Sequence, residues 1–160
     1  MARQFSLAEM LSLCEALPPA ADAAGRTGTY VKVGKCHKVF LVYHINQGNA
    51  ATVALTPQQA QDTSGTNAKA ITATQIWADE DEVTSDLLTK QPNAASYTTG
   101  AATKHKVVVF EILPEQCLDL ANGFNTIAAQ TGASNAANIT AAMFYGVPRY
   151  EQAQPPTMLS

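Results

Sequence analysis

Two stretches of sequence decide the fold: HKVFLVYHIN at residues 37–46 and HKVVVFEIL at residues 105–113. Both are dense in β-branched and aromatic residues, and their apolar residues are not confined to alternate positions. Such runs are typical of strands that are buried on both faces. We therefore expect residues 37–46 to form a central strand of a sheet and residues 105–113 to form a second buried strand.

Shorter segments of strand-like composition surround these two and are separated by turn residues. Residues 62–67 (DTSGTN) are a turn by composition, 92–102 a loop and 114–120 a short turn. Further strands are expected at residues 29–33, 52–59, 70–77, 83–89, 124–130 and 139–145. Because no helix lies between them, the strands favour an all-β, antiparallel sheet over βαβ units. Long crossings between the two strongest strands favour a jelly-roll or Greek-key β-sandwich.

One helix is predicted, over residues 6–17, in the segment SLAEMLSLCEAL. Its first Ser and the Glu three residues later have the spacing of a capping box. The apolar side chains that share one helical face are Leu7, Met10, Leu11 and Cys14. The prolines at positions 18 and 19 end the helix, since a proline nitrogen cannot donate a backbone hydrogen bond.

The sequence divides the chain into three parts. Residues 1–28 are a short N-terminal helix with a flexible linker, 29–150 the β-sandwich domain, and 151–160 a C-terminal tail. Two interpretations of the helix stay open: it packs on its own domain, or it is an arm that docks on a neighbouring subunit. Deletion of residues 1–19 is expected to leave the β domain folded and, under the second interpretation, to weaken binding to the neighbouring subunit.

Composition favours a protein that is packed into an assembly. Charged residues make up 14% of the 160 residues, against about 25% in a typical soluble domain. A weakly charged surface can be covered by neighbours without burying unpaired charges. The net charge is −3, with no block of Lys and Arg, so direct nucleic-acid binding is not expected. Neither a signal peptide nor a transmembrane helix is predicted.

The residues capable of catalysis are few and scattered. His37 and His44 lie seven positions apart in one strand, so they point to opposite faces, and His105 has no partner near it in sequence. Cys36 and His37 are adjacent in the strand and also diverge, which argues against a nucleophile and its base. The odd number of cysteines indicates free thiols in a reducing cytoplasm. We expect no enzyme activity, no metal and no cofactor.

An acidic run, DEDE, occupies residues 79–82. It lacks the alternate spacing, the central Gly and the distal Glu of a calcium-binding EF-hand loop. Two interpretations are open for Asp79, Glu80, Asp81 and Glu82: a solvated loop, or an electrostatic contact to a basic neighbour.

Four segments resemble a family of small virion proteins of tailed bacteriophages. They are TVALTPQQAQDTSGTNAKA at 52–70, VVVFEIL at 107–113, LDLANGF at 118–124 and YGVPRY at 145–150. The family includes capsid decoration, or cement, proteins, and the resemblance covers residues 29–150. It implies a jelly-roll protein on the outside of the shell, often a dimer, without catalytic residues. In the third segment, Asn122-Gly123 predicts a turn with positive φ, which Gly tolerates.

The resemblance and the composition together predict a structural virion protein that bridges major capsid protein subunits and stabilises the shell. The predicted partners are the major capsid protein and further copies of the chain, with no nucleic acid, membrane or small-molecule substrate. The protein is expected on the capsid surface after synthesis in the bacterial cytoplasm. Alternatives are a tail-tube, head–tail connector or fibre-attachment protein, or a sugar-binding jelly roll for host attachment. The predicted contacts are residues 92–102 and Leu7, Met10, Leu11, Asp79, Glu80, Asp81 and Glu82.

Overall fold

The computed structural model describes residues 5–159. Within that range two short α-helices, α1 (Leu7–Met10) and α2 (Pro114–Cys117), and a 3-10 helix (Leu120–Asn122) accompany fourteen strands. The strands are, in chain order, β1 Ser12–Ala21, β2 Arg26–Thr27, β3 Val31–Lys32, β4 Cys36–Gln47, β5 Ala54–Leu55, β6 Gln58–Ala60, β7 Lys69–Ala70, β8 Thr74–Asp79, β9 Thr89–Ala94, β10 Tyr97–Thr98, β11 His105–Ile112, β12 Thr126–Ala128, β13 Gln130–Thr131 and β14 Asn138–Pro148.

Six of the fourteen strands form one sheet, called here the large sheet, in the order β1-β14-β4-β11-β8-β9. Two four-stranded sheets, β10-β5-β13-β2 and β3-β12-β6-β7, complete the described part of the chain. The pairings are antiparallel. The predicted antiparallel all-β sandwich is therefore confirmed. The central position of β4 is also confirmed, and β11 lies directly beside it.

The core lies against one face of the large sheet. In β4, alternate residues Val39, Leu41, Tyr43 and Ile45 are fully buried, as period-two strand geometry requires when one face packs inward. The Tyr43 hydroxyl reaches across to β13, where it accepts a hydrogen bond from the Gln130 backbone N–H at 3.1 Å. Each such apolar side chain contributes about 1.5–3 kcal/mol by leaving water.

The N-terminal helix is much shorter than predicted. It ends at Met10, because Leu11 is already extended, and Ser6 makes no side-chain capping bond. Residues 12–21 instead form β1, which pairs with β14 at the edge of the large sheet. The prolines at 18 and 19 fit there because the register shifts between Leu17 and Ala20, and an edge strand tolerates missing N–H donors. The predicted helix over 6–17 is thus wrong beyond Met10.

The segment expected to be a flexible linker is held by a buried carboxylate. Asp22 is fully buried, and its Oδ1 accepts hydrogen bonds from Arg26 Nη2 at 3.0 Å and from Thr131 at 2.9 Å. Thr140 donates to the other carboxylate oxygen. Arg26 also donates to the Pro18 carbonyl at 3.0 Å. These bonds tie the chain around residues 18–26 to both the large sheet and β13.

The C-terminal segment also packs onto the sandwich. Met158 is 3% exposed and belongs to the hydrophobic core. Its carbonyl accepts a hydrogen bond from the Lys32 N–H at 2.7 Å. Nearby, the Ser12 hydroxyl donates to the Pro156 carbonyl at 2.6 Å. The end of the predicted tail therefore covers the start of β1.

Two local predictions differ from the structure between β8 and β11. Residues 83–89 were expected to be a strand, but the Thr84 and Ser85 N–H groups both donate to the Asp81 carbonyl at 3.1 Å and form a turn. The strand begins only at Thr89. The expected loop at 92–102 contains the end of β9 and all of β10. The predicted turn at Asn122-Gly123 is confirmed, with φ +82° at Gly123.

Candidate interaction surfaces

The acidic run at 79–82 begins at the end of β8, and its second member is an internal structural group. Glu80 accepts hydrogen bonds from the Tyr97 hydroxyl at 2.6 Å and from the Gly100 N–H at 3.1 Å. It also pairs with the ammonium of Lys106, a fully buried side chain, at 2.5 Å. Burial opposes ionisation of Glu80, but these hydrogen bonds and the Lys106 charge outweigh it, so the pKa of Glu80 is lowered.

The other members of the run are divided between internal and solvent contacts. Asp79 is buried and accepts the Asp81 N–H at 2.9 Å. Asp81 accepts the Thr84 hydroxyl at 2.8 Å and pairs with Lys104 at 3.1 Å. Only Glu82 is fully exposed. Three of the four acidic residues therefore stabilise the chain between β8 and β11 through internal contacts. A role of the run in binding a basic neighbour stays a prediction.

The predicted apolar contacts at the N-terminus lie around a groove. Leu7 is exposed, whereas Met10 and Leu11 are half-buried. Met10 and Leu11 line a cavity of about 430 Å³ between α1 and the segment that follows β14. We call this cavity the terminal groove; its apolar lining is Phe5, Met10, Leu11, Phe40, Val147, Pro148, Tyr150 and Pro155.

The terminal groove and the acidic run lie at opposite corners of the large sheet. Strands β1 and β8 run in the same direction, and α1 precedes the start of β1 whereas the run follows the end of β8. Ser12 is level with Val39 of β4, and Asp79 is level with His44. At about 3.3 Å per residue and 4.8 Å per strand, the two corners are about 17 Å apart along the strands and 19 Å across them. They do not form one continuous contact surface.

A third surface was not predicted: the face of the large sheet that points away from the core. Cross-strand pairing aligns Met143, Val42, Val109 and Trp77 in one row over four strands. The row on one side contains Tyr145 and Phe40 followed by Glu111 and Gln75, and the row on the other contains His44, Val107 and Asp79. The apolar side chains of these rows are half-buried, while the residues between them in sequence are in the core. We call the set the outer face: Phe40, Val42, Trp77, Val107, Val109, Met143 and Tyr145.

Charged groups lie at the two ends of the middle row and in the rows beside it. At one end Lys38 pairs with Glu111, and the Lys38 ammonium lies 5.0 Å from the centre of the Phe40 ring. At the other end the rings of His44 and His105 are 6.5 Å apart. His105 has no partner near it in sequence, and the neighbouring positions of β4 and β11 bring it close to His44 in space.

Groups suited to catalysis or metal binding are not assembled in the described residues. No set of three or more His, Cys, Asp or Glu side chains between residues 5 and 159 is placed to hold a metal ion. Burial raises the pKa of the Cys36 thiol, although Arg149 partly offsets it. A thiol with a raised pKa is a poor nucleophile. Over the same residues, the helices are too short to span a bilayer.

One sequence signal for the outer face was present. The stretch at 37–46 was recognised as apolar on both faces, which predicts burial of both faces. Among residues 5–159, the other two sheets cover the core side, and the apolar side opposite to it is the outer face. Its extent could not be predicted because it depends on which strands are neighbours and in what register.

Comparison with known proteins gives a distant structural similarity. No protein-family model and no curated protein matches the chain. Among solved structures, it is similar to the SPBc2 prophage-derived protein YomS, with a TM-score of 0.47 and 11% sequence identity. The similarity covers 84% of this chain and 91% of that chain. At this distance the similarity carries no conclusion about a site or an activity.

Proposed function

We propose that the chain is a structural protein of a tailed-phage particle, which decorates the capsid and stabilises it by bridging major capsid protein subunits. The terminal groove is the observation that carries the proposal. It is an open apolar depression beside exposed aromatic side chains, with Phe5 70% and Tyr150 76% exposed. Large exposed apolar groups at one site are typical of protein–protein contacts.

The rest of the molecule suits this role. The groove lies at one end of the large sheet, beside its central strands, so a bound protein would contact a rigid surface. Two of the segments that resemble decoration proteins are 107–113, which lies mostly in β11, and 145–150, which includes the end of β14 and lines part of the groove. A protein that bridges two shell subunits resists their separation, because its own contacts must break as well. Many copies multiply this effect without strong individual contacts.

The contact surface around the groove can be tested with an exposed leucine of α1, the helix that borders the groove, and a matched control. Leu7 in α1 is 44% exposed, and Leu120 in the 3-10 helix is 41% exposed. We expect Leu7→Glu to reduce binding to capsids prepared without the protein, because it places a charge in an apolar contact. Leu120→Glu should bind as the unchanged protein does. Co-sedimentation with capsids and counting of bound copies measures both.

Two results would contradict the proposal. One is the absence of the chain from purified particles, analysed on a protein gel. The other is equal capsid binding by the Leu7 and Leu120 variants. A low copy number per particle would instead favour a tail-tube, connector or fibre-attachment component, since a decoration protein covers the shell and is abundant.

A further inference from the structure

We propose that two copies of the chain form a dimer by packing their outer faces together, about a two-fold axis parallel to the strands. This interface shares Phe40 with the terminal groove, but its middle row lies outside the groove, and dimer formation does not depend on capsid binding. The argument rests on one row of residues across the large sheet. In strand order from β1 to β9 the row is Glu15, Met143, Val42, Val109, Trp77 and Lys90.

The row is complementary to itself. A two-fold axis that lies between β4 and β11 places β4 of one copy over β11 of the other. It likewise places β14 over β8 and β1 over β9. Val42 then meets Val109 of the second copy, and Met143 meets its Trp77. A thioether beside an aromatic ring is a favourable contact.

The ends of the row add charge complementarity. The same axis places Glu15 of one copy opposite Lys90 of the other, twice in each dimer. Both side chains are exposed, and neither forms an ion pair with another residue in the described range. Opposite charges at the rim of an apolar centre are the usual anatomy of a specific interface.

The face is large enough for a stable dimer. Six strands at about 4.8 Å spacing are roughly 29 Å wide, and three rows of residues cover about 20 Å along the strands. Each copy would bury roughly 600 Å², or about 1,200 Å² in total, which reaches the standard size for specific complexes. Face-to-face packing of two sheets at about 10 Å is also the ordinary geometry of a β-sandwich core.

The single tryptophan reports on this interface. Trp77 is the only Trp in the chain, and it lies in the middle row. We expect the purified protein to sediment as a dimer, and its Trp emission to shift to longer wavelength on dilution as Trp77 is exposed. A protein that remains monomeric at 100 µM, a concentration about a hundredfold above a micromolar Kd, overturns the proposal.

Two sets of variants locate the contact. Val109→Lys should give a folded monomer, whereas the control Thr98→Lys, at an exposed site in β10, should remain dimeric. Glu15→Lys and Lys90→Glu should each weaken the dimer about tenfold, because two attractive pairs become repulsive. The double variant should restore the affinity.

The charge-reversal variants are at exposed positions, so they decide the question even if Val109→Lys does not fold. A folded Val109→Lys dimer overturns the proposal, and so does a double variant as weak as either single variant. If the protein is monomeric and Val109→Lys loses capsid binding, the outer face binds the shell and not a second copy. Circular dichroism of each variant checks that the fold is intact.

Discussion

At the scale of single residues, the C-terminal segment offers a direct test of packing. Met158 is 3% exposed, and its neighbour Leu159 is 62% exposed. We expect Met158→Ala to reduce the free energy of unfolding by about 2–5 kcal/mol, because it leaves a cavity in the core. Leu159→Ala should change it by less than about 0.5 kcal/mol. Urea denaturation of both variants measures the difference, and equal losses would show that residue 158 does not anchor the segment.

Gly28 lies where two backbone segments pack against each other. Gly28 donates its N–H to the Ala129 carbonyl at 2.8 Å, and a Cβ at this position would lie 1.7 Å from the Ala16 carbonyl oxygen. No side chain fits there without moving β1. The glycine therefore allows the chain between β2 and β3 to pass close to β1.

At the scale of the structural element, β1 and its turn depend on the Asp22 carboxylate. Asp22→Ala removes the carboxylate that accepts from Thr131 and Thr140 and that neutralises Arg26, which keeps only its bonds to backbone carbonyls. We expect a loss of about 3–5 kcal/mol in the free energy of unfolding, as for other broken buried ion pairs.

The matched control for this prediction is Asp86→Ala, at an exposed site in the loop after β8. It should leave the free energy of unfolding within about 0.5 kcal/mol of the unchanged protein. Chemical denaturation of both variants decides the matter. A loss below 1 kcal/mol for Asp22→Ala would mean that the turn is held by its other contacts.

The strands that could be predicted differ from β1 in a physical way. β4, β11 and the end of β14 are rich in β-branched and aromatic residues, so local preference and tertiary pairing agree. In β1 the sequence SLCEALPPAA favours a helix by composition, and pairing with β14 overrides that weak preference. Deletion of residues 1–19 would therefore remove most of β1, and the β domain is not expected to stay intact. A truncation that tests the N-terminus as an arm must end before Ser12.

The interaction surfaces were predictable only in part. Leu7, Met10 and Leu11 were recognised because they are apolar and close in sequence. The partners of Met10 and Leu11 around the groove, such as Phe40 and Tyr150, come from distant positions and could not be inferred without the fold. The acidic run looked like a solvated loop, but a buried Lys106 on a neighbouring strand draws Glu80 into internal bonds.

At the scale of the whole molecule, stability should depend on pH below about 4.5. The pKa values of five carboxyl groups are lowered: Asp62, Glu80, Asp81, Glu115 and Asp119. In all but Glu80 the main cause is a hydrogen bond from another side chain. A lowered folded-state pKa contributes stability above the unfolded-state pKa, and this is lost as the pH falls through the folded-state value. Stability should therefore decline from about pH 4.5 downwards.

Glu80 can be separated from the other four groups. Glu80→Gln should cost about 1–3 kcal/mol at neutral pH, because Lys106 stays buried without its partner charge. It should also make the decline in acid shallower. Glu82→Gln, two residues along the chain and exposed, is the control. Denaturation midpoints at pH 7, 4 and 3 give both quantities, and parallel curves for all three proteins would exclude a role for Glu80.

The two outer strands of the large sheet have a feature in common. β1 contains Pro18 and Pro19, β9 contains Pro92, and the register shifts beside each of them. A proline interrupts the ladder of donors that an incoming strand would need. Copies crowded at high local concentration are thus protected from fibre growth by strand addition. In the proposed dimer, self-association uses the broad outer face of the large sheet and closes at two subunits.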